Sequence, residues 1–199
     1  MKGANMNLPN KLTLIRIALV PVMILFAVHD FGLGIWANVI AAAVFSIASL
    51  TDMLDGKIAR KYGLVTNFGK FLDPLADKFL VMSALVAMCL TEQNDVYGKL
   101  LFVGTIIVIF RELAVTSMRL VVVNAEGIVV AANIYGKIKT CTQIAFVIVA
   151  FLEPVIYEFF SVDLMRIPSY VLLAGMTLMT VLSGYSYMKS YWKHISTDK

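Results

Sequence analysis

Six apolar stretches, each long enough to cross a bilayer as a helix, constrain this chain more than any other feature of its sequence. They run over Leu12–Val28, Ile35–Arg60, Lys70–Leu90, Gly98–Val123, Tyr135–Tyr157 and Ser169–Tyr191. About 20 helical residues span a hydrocarbon core of ~30 Å. Backbone polar groups in lipid must be satisfied within the chain, and a helix does so segment by segment. The sequence therefore predicts an all-α integral membrane protein with six transmembrane helices. The connections are short and none carries a Pro/Gly/Ser run, so residues 1–199 read as a single membrane domain. Composition agrees: 15% of the residues are charged, whereas about 25% is usual for a soluble domain.

Charge orients the helices. Fifteen of the 17 lysines and arginines fall on the side of the amino terminus, and only Lys99 and Arg166 on the other. Asp30, Glu92, Asp95, Glu153, Glu158 and Asp163 collect on that second side. The positive-inside rule then predicts that both termini are cytoplasmic. The net charge of +4 reflects this sidedness, and no nucleic-acid partner is expected. Cys89 and Cys141 lie in apolar runs with no disulfide or zinc spacing. The first stretch contains Arg16 and Pro21 and lacks a small-residue cleavage site, which predicts a retained helix rather than a signal peptide.

Carboxylates at a membrane helix are expensive and need a purpose. Asp52, Asp55, Asp73 and Asp77 fall within 26 residues, at the predicted cytoplasmic ends of the second and third helices. Spacings of three and four put each pair on one helical face, and two antiparallel neighbours can aim both pairs at one place. Four such groups cannot all stay ionised without cations. Hard divalent ions such as Mg²⁺ or Mn²⁺ suit oxygen donors, and two of them would neutralise four carboxylates and clamp a phosphate. Separate salt bridges to Lys57, Arg60, Lys70 and Lys78 are the plainer alternative.

The stretch D-M-L-D-G-K-I-A-R-K-Y-G-L-V-T-N-F-G-K-F-L-D-P-L-A-D fits D-x-x-D-G-x-x-A-R-x8-G-x3-D-x3-D at Asp52, Asp55, Gly56, Ala59, Arg60, Gly69, Asp73 and Asp77. With P-N-K-L-T-L-I-R before it, and R-E-L-A-V-T-S-M-R and Y-G-K-I-K-T after it, the chain resembles the CDP-alcohol phosphatidyltransferases. The bacterial phosphatidylglycerophosphate synthases are the nearest group. The resemblance implies that family's fold, a place in the cell membrane with the active site at the cytoplasmic face, and a homodimer. It implies that Asp52, Asp55, Asp73 and Asp77 hold two divalent ions, Mg²⁺ or Mn²⁺, at the pyrophosphate of a CDP-linked donor. Asp77 would be the general base. Gly56 and Ala59 would pack the cytidine, while Arg60 and Gly69 belong to the same donor site. Thr13 and Arg16, one turn apart, would approach the donor phosphates, with snorkelling of Arg16 to headgroups as the alternative.

The acceptor is read from cations. Arg111 lies well inside the fourth stretch, Arg119 about two turns further on, and Lys137 and Lys139 open the fifth. Four cations near the metal site suit an anionic alcohol, although Glu112 offers Arg111 an internal ion pair. The implied reaction joins CDP-diacylglycerol to glycerol 3-phosphate, giving phosphatidylglycerophosphate and CMP. Inositol phosphate and phosphatidylglycerol are alternative acceptors. His29 and His194 are far from the motif in sequence, so direct displacement is expected rather than a covalent intermediate. A divalent-cation transporter is the competing class. It would place its site near the midplane between repeated halves, and neither feature is visible here.

Overall fold

The structure is a computed structural model that describes residues 7–62, 67–92, 95–126, 134–161 and 165–195. The side chains of 8–9, 53–62, 67–68, 70–71, 123–126 and 193–195 lie outside that description. The described residues form α1 (Leu8–Val28), α2 (Ile35–Tyr62), α3 (Asn67–Thr91), α4 (Val96–Glu126), α5 (Ile134–Phe160) and α6 (Ile167–Ile195). All six contain a stretch long and apolar enough to cross a membrane, as the run lengths predict. Most ends extend past the predicted ones. Hydropathy marks where lipid begins, whereas a helix continues into the interface while its backbone bonds are met. One consequence is that Glu158, just past the predicted end at Tyr157, sits inside α5. Glu153 lies further back in the same helix. It is buried there and accepts a hydrogen bond from the Tyr157 hydroxyl.

The chain divides into two compact units, Met1–Thr91 with Val147–Leu164, and Glu92–Phe146 with Met165–Lys199. In the first, α1 packs along both α2 and α3. Its buried residues Thr13, Arg16, Val20, Met23 and Ala27 recur every three or four positions and form one seam. On α2 the matching seam is Ala37, Ala41, Phe45 and Ala48. Three alanines in four positions let the helix backbones approach, the usual basis of helix packing in lipid. The next position on that seam, one turn beyond Ala48, is Asp52. On α3 the buried face runs through Ala76, Leu80, Ala84 and Ala87, and Asp73 and Asp77 flank its start. Apolar packing therefore delivers three carboxylates to one end of the α1–α2–α3 group.

The turn between α1 and α2 needs glycine. Phe31, Gly32 and Gly34 have φ of 52°, 75° and 58°, and the Gly32 amide donates to Asp30 Oδ1 at 3.1 Å.

In the second unit α4 packs against α6. Leu101, Thr105, Val108, Glu112, Val115 and Val122 line α4, and Met176, Thr180, Ser183, Tyr187 and Tyr191 line α6. Both seams keep the three-and-four spacing but turn polar toward the middle of α4 and the carboxyl half of α6. Gly104 lets the helices close up. A Cβ there would lie 3.0 Å from Thr177 Oγ1 and 3.1 Å from Leu173 Cδ1. At the other end of this unit Arg166 pairs with Glu92 at 2.5 Å and lies 5.1 Å from the Tyr97 ring centroid. Burial works most strongly against its charge. The Glu92 hydrogen bond and the charges of Glu92, Tyr97 and Asp95 outweigh that and hold the guanidinium above its usual value.

Candidate active site

The first polar centre is assembled by α1. Thr13 and Arg16 are fully buried on the seam that faces α2 and α3. The Thr13 hydroxyl donates to Asp73 Oδ1 at 2.7 Å. Arg16 Nη1 meets Asp52 Oδ1 at 2.6 Å, and its Nε donates to the Ala48 carbonyl at 3.3 Å. Arg16 thus does not snorkel. It stays inside the helix group, where the Asp52 carboxylate neutralises it and the Ala48 carbonyl fixes its plane.

The same two contacts fix the carboxylates. Asp52 and Asp73 each commit one oxygen to a donor from α1, so their rotamers are set before any ligand arrives. Asp52 is 38% exposed at its side chain, and Asp73 and Asp77 are part-exposed too. Part-exposed, pre-oriented carboxylates form an all-oxygen set that fits hard divalent cations. Among the described residues no three histidines, cysteines or acids are drawn together into a finished metal cluster. The side chain of Asp55 lies outside the described residues, as do those of Ala59 and Arg60 and the surroundings of Gly56. Gly69 is buried at the start of α3.

The second centre lies in the second unit. Glu112 Oε1 accepts from Arg111 Nη1 at 3.1 Å and from Lys139 Nζ at 2.5 Å. Arg111 Nη2 donates to Ser183 Oγ at 2.5 Å, and its guanidinium lies 5.4 Å from the Tyr187 ring centroid, a cation–π contact. Tyr187 in turn stacks on Tyr191, with centroids 6.2 Å apart. Arg111, Glu112 and Lys139 are all at least nine-tenths buried. Three donors here, Arg111 Nε, Gln143 Nε2 and Tyr191 Oη, have no hydrogen-bond partner among the described residues. Gln143 is one turn from Lys139 on the same face of α5.

The structure therefore brings together two of the four predicted acceptor cations, Arg111 and Lys139. Arg119 and Lys137 stand exposed. Lys137 is two residues from Lys139, and residues two apart on a helix point in different directions. Sequence reasoning saw Glu112 only as a partner for Arg111 and missed Ser183, Tyr187 and Tyr191. Their spacing of four and four within an apolar helix was the available signal.

The pattern that describes CDP-alcohol phosphatidyltransferases matches residues 6–184, which include Thr13, Arg16, the four aspartates, Arg111, Glu112, Lys139 and Ser183. The chain belongs to that family. Over 96% of its length it is 42% identical to a Bacillus subtilis protein named CDP-diacylglycerol–glycerol-3-phosphate 3-phosphatidyltransferase, of which 98% is covered. A Rickettsia bellii protein of the same name is 36% identical over 94% of this chain and 97% of its own. A Mycobacterium tuberculosis protein named probable phosphatidylglycerophosphate synthase is 37% identical over 92% of this chain and 80% of its own. The family is metal-dependent, which agrees with the carboxylate set on α2 and α3.

Proposed function

We propose that this chain, acting as one membrane domain, transfers the phosphatidyl group of CDP-diacylglycerol to glycerol 3-phosphate. The products are phosphatidylglycerophosphate and CMP. The primary hydroxyl of the acceptor attacks the phosphorus that carries the diacylglycerol. The bond from that phosphorus to the bridging oxygen breaks, CMP leaves with the electron pair, and Asp77 takes the hydroxyl proton. Asp52, Asp55, Asp73 and Asp77 would hold two Mg²⁺ or Mn²⁺ ions, which supply neutralisation of the pyrophosphate and of the departing CMP. Thr13 and Arg16 orient Asp73 and Asp52, while Gly56, Ala59, Arg60 and Gly69 receive the nucleotide end of the donor. The charge asymmetry of the loops supports a cytoplasmic active site in the cell membrane with both termini on that side. The family resemblance supports a homodimer.

The observation that carries the acceptor assignment is the buried cluster of Arg111, Glu112 and Lys139. Among the described residues two cations stand against one carboxylate, and inside a membrane protein this leaves a positive charge that an anionic ligand would offset. A phosphorylated alcohol supplies that anion, whereas choline or ethanolamine would add another cation. Arg119 and Lys137 take the outer part of the same role, drawing the acceptor in from water.

The test is CMP release by the purified protein in detergent with CDP-diacylglycerol and Mg²⁺, comparing glycerol 3-phosphate, inositol phosphate, phosphatidylglycerol and serine. Release with glycerol 3-phosphate alone is expected. Release with a different acceptor would keep the carboxylate chemistry and overturn the acceptor assignment. A divalent-cation transporter would release no CMP with any of them.

A further inference from the structure

We propose that Glu112 is a positioning residue for acceptor binding, with one carboxylate oxygen holding Arg111 and Lys139 in the pose that receives the acceptor phosphate. This rests on the reading of Arg111 and Lys139 as acceptor ligands. Both cations, one on α4 and one on α5, are registered by the same atom, Glu112 Oε1, at 3.1 and 2.5 Å. Long cationic side chains have many rotamers to lose, and a phosphate that had to order both would bind weakly. Preorganisation removes that cost before the ligand arrives.

The rest of the cluster shows what the arrangement leaves open. Arg111 spends Nη1 on Glu112 and Nη2 on Ser183, and its plane rests by the Tyr187 ring. Its Nε, buried, has no partner among the described residues. Guanidinium donors form a rigid fork matched to phosphate oxygens, so pinning two nitrogens fixes the direction of the third. Charge points the same way. A structural ion pair is complete with one cation per carboxylate, whereas here a second cation shares it, and buried excess charge is costly unless a further anion comes. Glu112 is therefore too short of charge to close the site and well placed to shape it.

Steady-state kinetics on the full-length protein in detergent, with CDP-diacylglycerol and glycerol 3-phosphate varied separately, test this. The decisive variant is Glu112→Asp, which keeps the charge and withdraws the carboxylate by one methylene. It is expected to raise the acceptor KM about tenfold or more while leaving the donor KM within about twofold. A wild-type acceptor KM in Glu112→Asp would make Glu112 a counter-charge only and overturn the proposal. So would equal rises in both KM values, which mark a general role in the fold. Should Glu112→Asp fail to fold, the isosteric Glu112→Gln carries the test. A raised acceptor KM supports positioning, and an unchanged or lowered one overturns it. Lys139→Met separates the two layers of the argument. If it leaves the acceptor KM unchanged, the acceptor reading itself fails, whatever the Glu112 variants do.

Discussion

The two polar centres are built with opposite charge by the same device. In the first unit, α1 supplies a guanidinium and a hydroxyl that hold carboxylates on α2 and α3. In the second, α4 supplies a carboxylate that holds cations on α4 and α5. The minority group fixes the majority groups, and each centre keeps an excess of the charge opposite to the ligand proposed for it. They differ in access. Asp52 is 38% exposed, whereas Arg111, Glu112 and Lys139 are closed off. An open carboxylate centre suits the proposed divalent ions, which must still be reached by the pyrophosphate of a lipid-linked nucleotide. A closed cationic centre suits a small phosphate ester that can be enclosed. The contrast teaches that the same device of orientation works at an open centre and at a closed one, so access and orientation are set independently.

The largest effects should come from the carboxylates. Asp77→Asn and Asp73→Asn each keep shape and remove charge, so CMP release should fall at least about a hundredfold with the helical circular dichroism unchanged. Substantial activity in either would break the comparison at its first term.

Next is the device rather than the ligand set. Thr13→Val keeps the size of the side chain and deletes the donor to Asp73, a hydrogen bond to a charged group worth about 1.5–3 kcal/mol. Residues that orient metal ligands typically change metal affinity about 10–100-fold. Mn²⁺ binding to the purified protein, followed by electron paramagnetic resonance, should weaken by about tenfold, and Thr13→Ser should restore it. Wild-type Mn²⁺ affinity in Thr13→Val would leave the Thr13–Asp73 bond a packing detail.

The cationic centre should respond through the acceptor alone. Lys139→Met removes one of two enclosed cations and should raise the glycerol 3-phosphate KM by about tenfold. Exposed Lys137 should matter less, with Lys137→Ala changing that KM by about threefold or less. Equal effects from the two would show that the enclosed cluster has no special claim on the phosphate.

The sequence makes the helices and the carboxylates legible for different reasons. Apolar run length reports directly on the bilayer, so all six helices could be counted. Their ends could not be placed, because beyond the lipid nothing in hydropathy distinguishes helix from loop, as Glu158 in α5 shows. Asp52, Asp55, Asp73 and Asp77 stand out because charge is costly there and the spacing is local. Thr13 and Arg16 were picked out by type and position, without the carboxylates they meet. Thr13 meets Asp73 60 positions away, and no local pattern encodes a partner at that separation. The same holds for Arg111 with Ser183, 72 positions apart, and for Lys139 with Glu112, 27 apart. Single residues carry chemistry that can be read from their type, whereas pairings are set by how the helix seams register.

The smallest prediction tests that register. Gly184 lies on α6 between Ser183 and the turn that holds Tyr187, and a Cβ built on it would come within 3.1 Å of Arg111 Cγ. The stem of Arg111 passes where a side chain would otherwise stand. Gly184→Ala need not disrupt the α4–α6 seam, because the atom it meets belongs to a flexible chain and can give by a few tenths of an ångström. Giving way, however, moves the guanidinium that Glu112 and Ser183 both hold. The expected result is a rise of about threefold in the glycerol 3-phosphate KM, with the donor KM and thermal stability near those of the wild type. A loss of stability with an unchanged acceptor KM would instead assign Gly184 to helix packing. The cationic centre would then tolerate displacement of its arginine, and the parallel with the tightly held carboxylates of α2 and α3 would fail at that point.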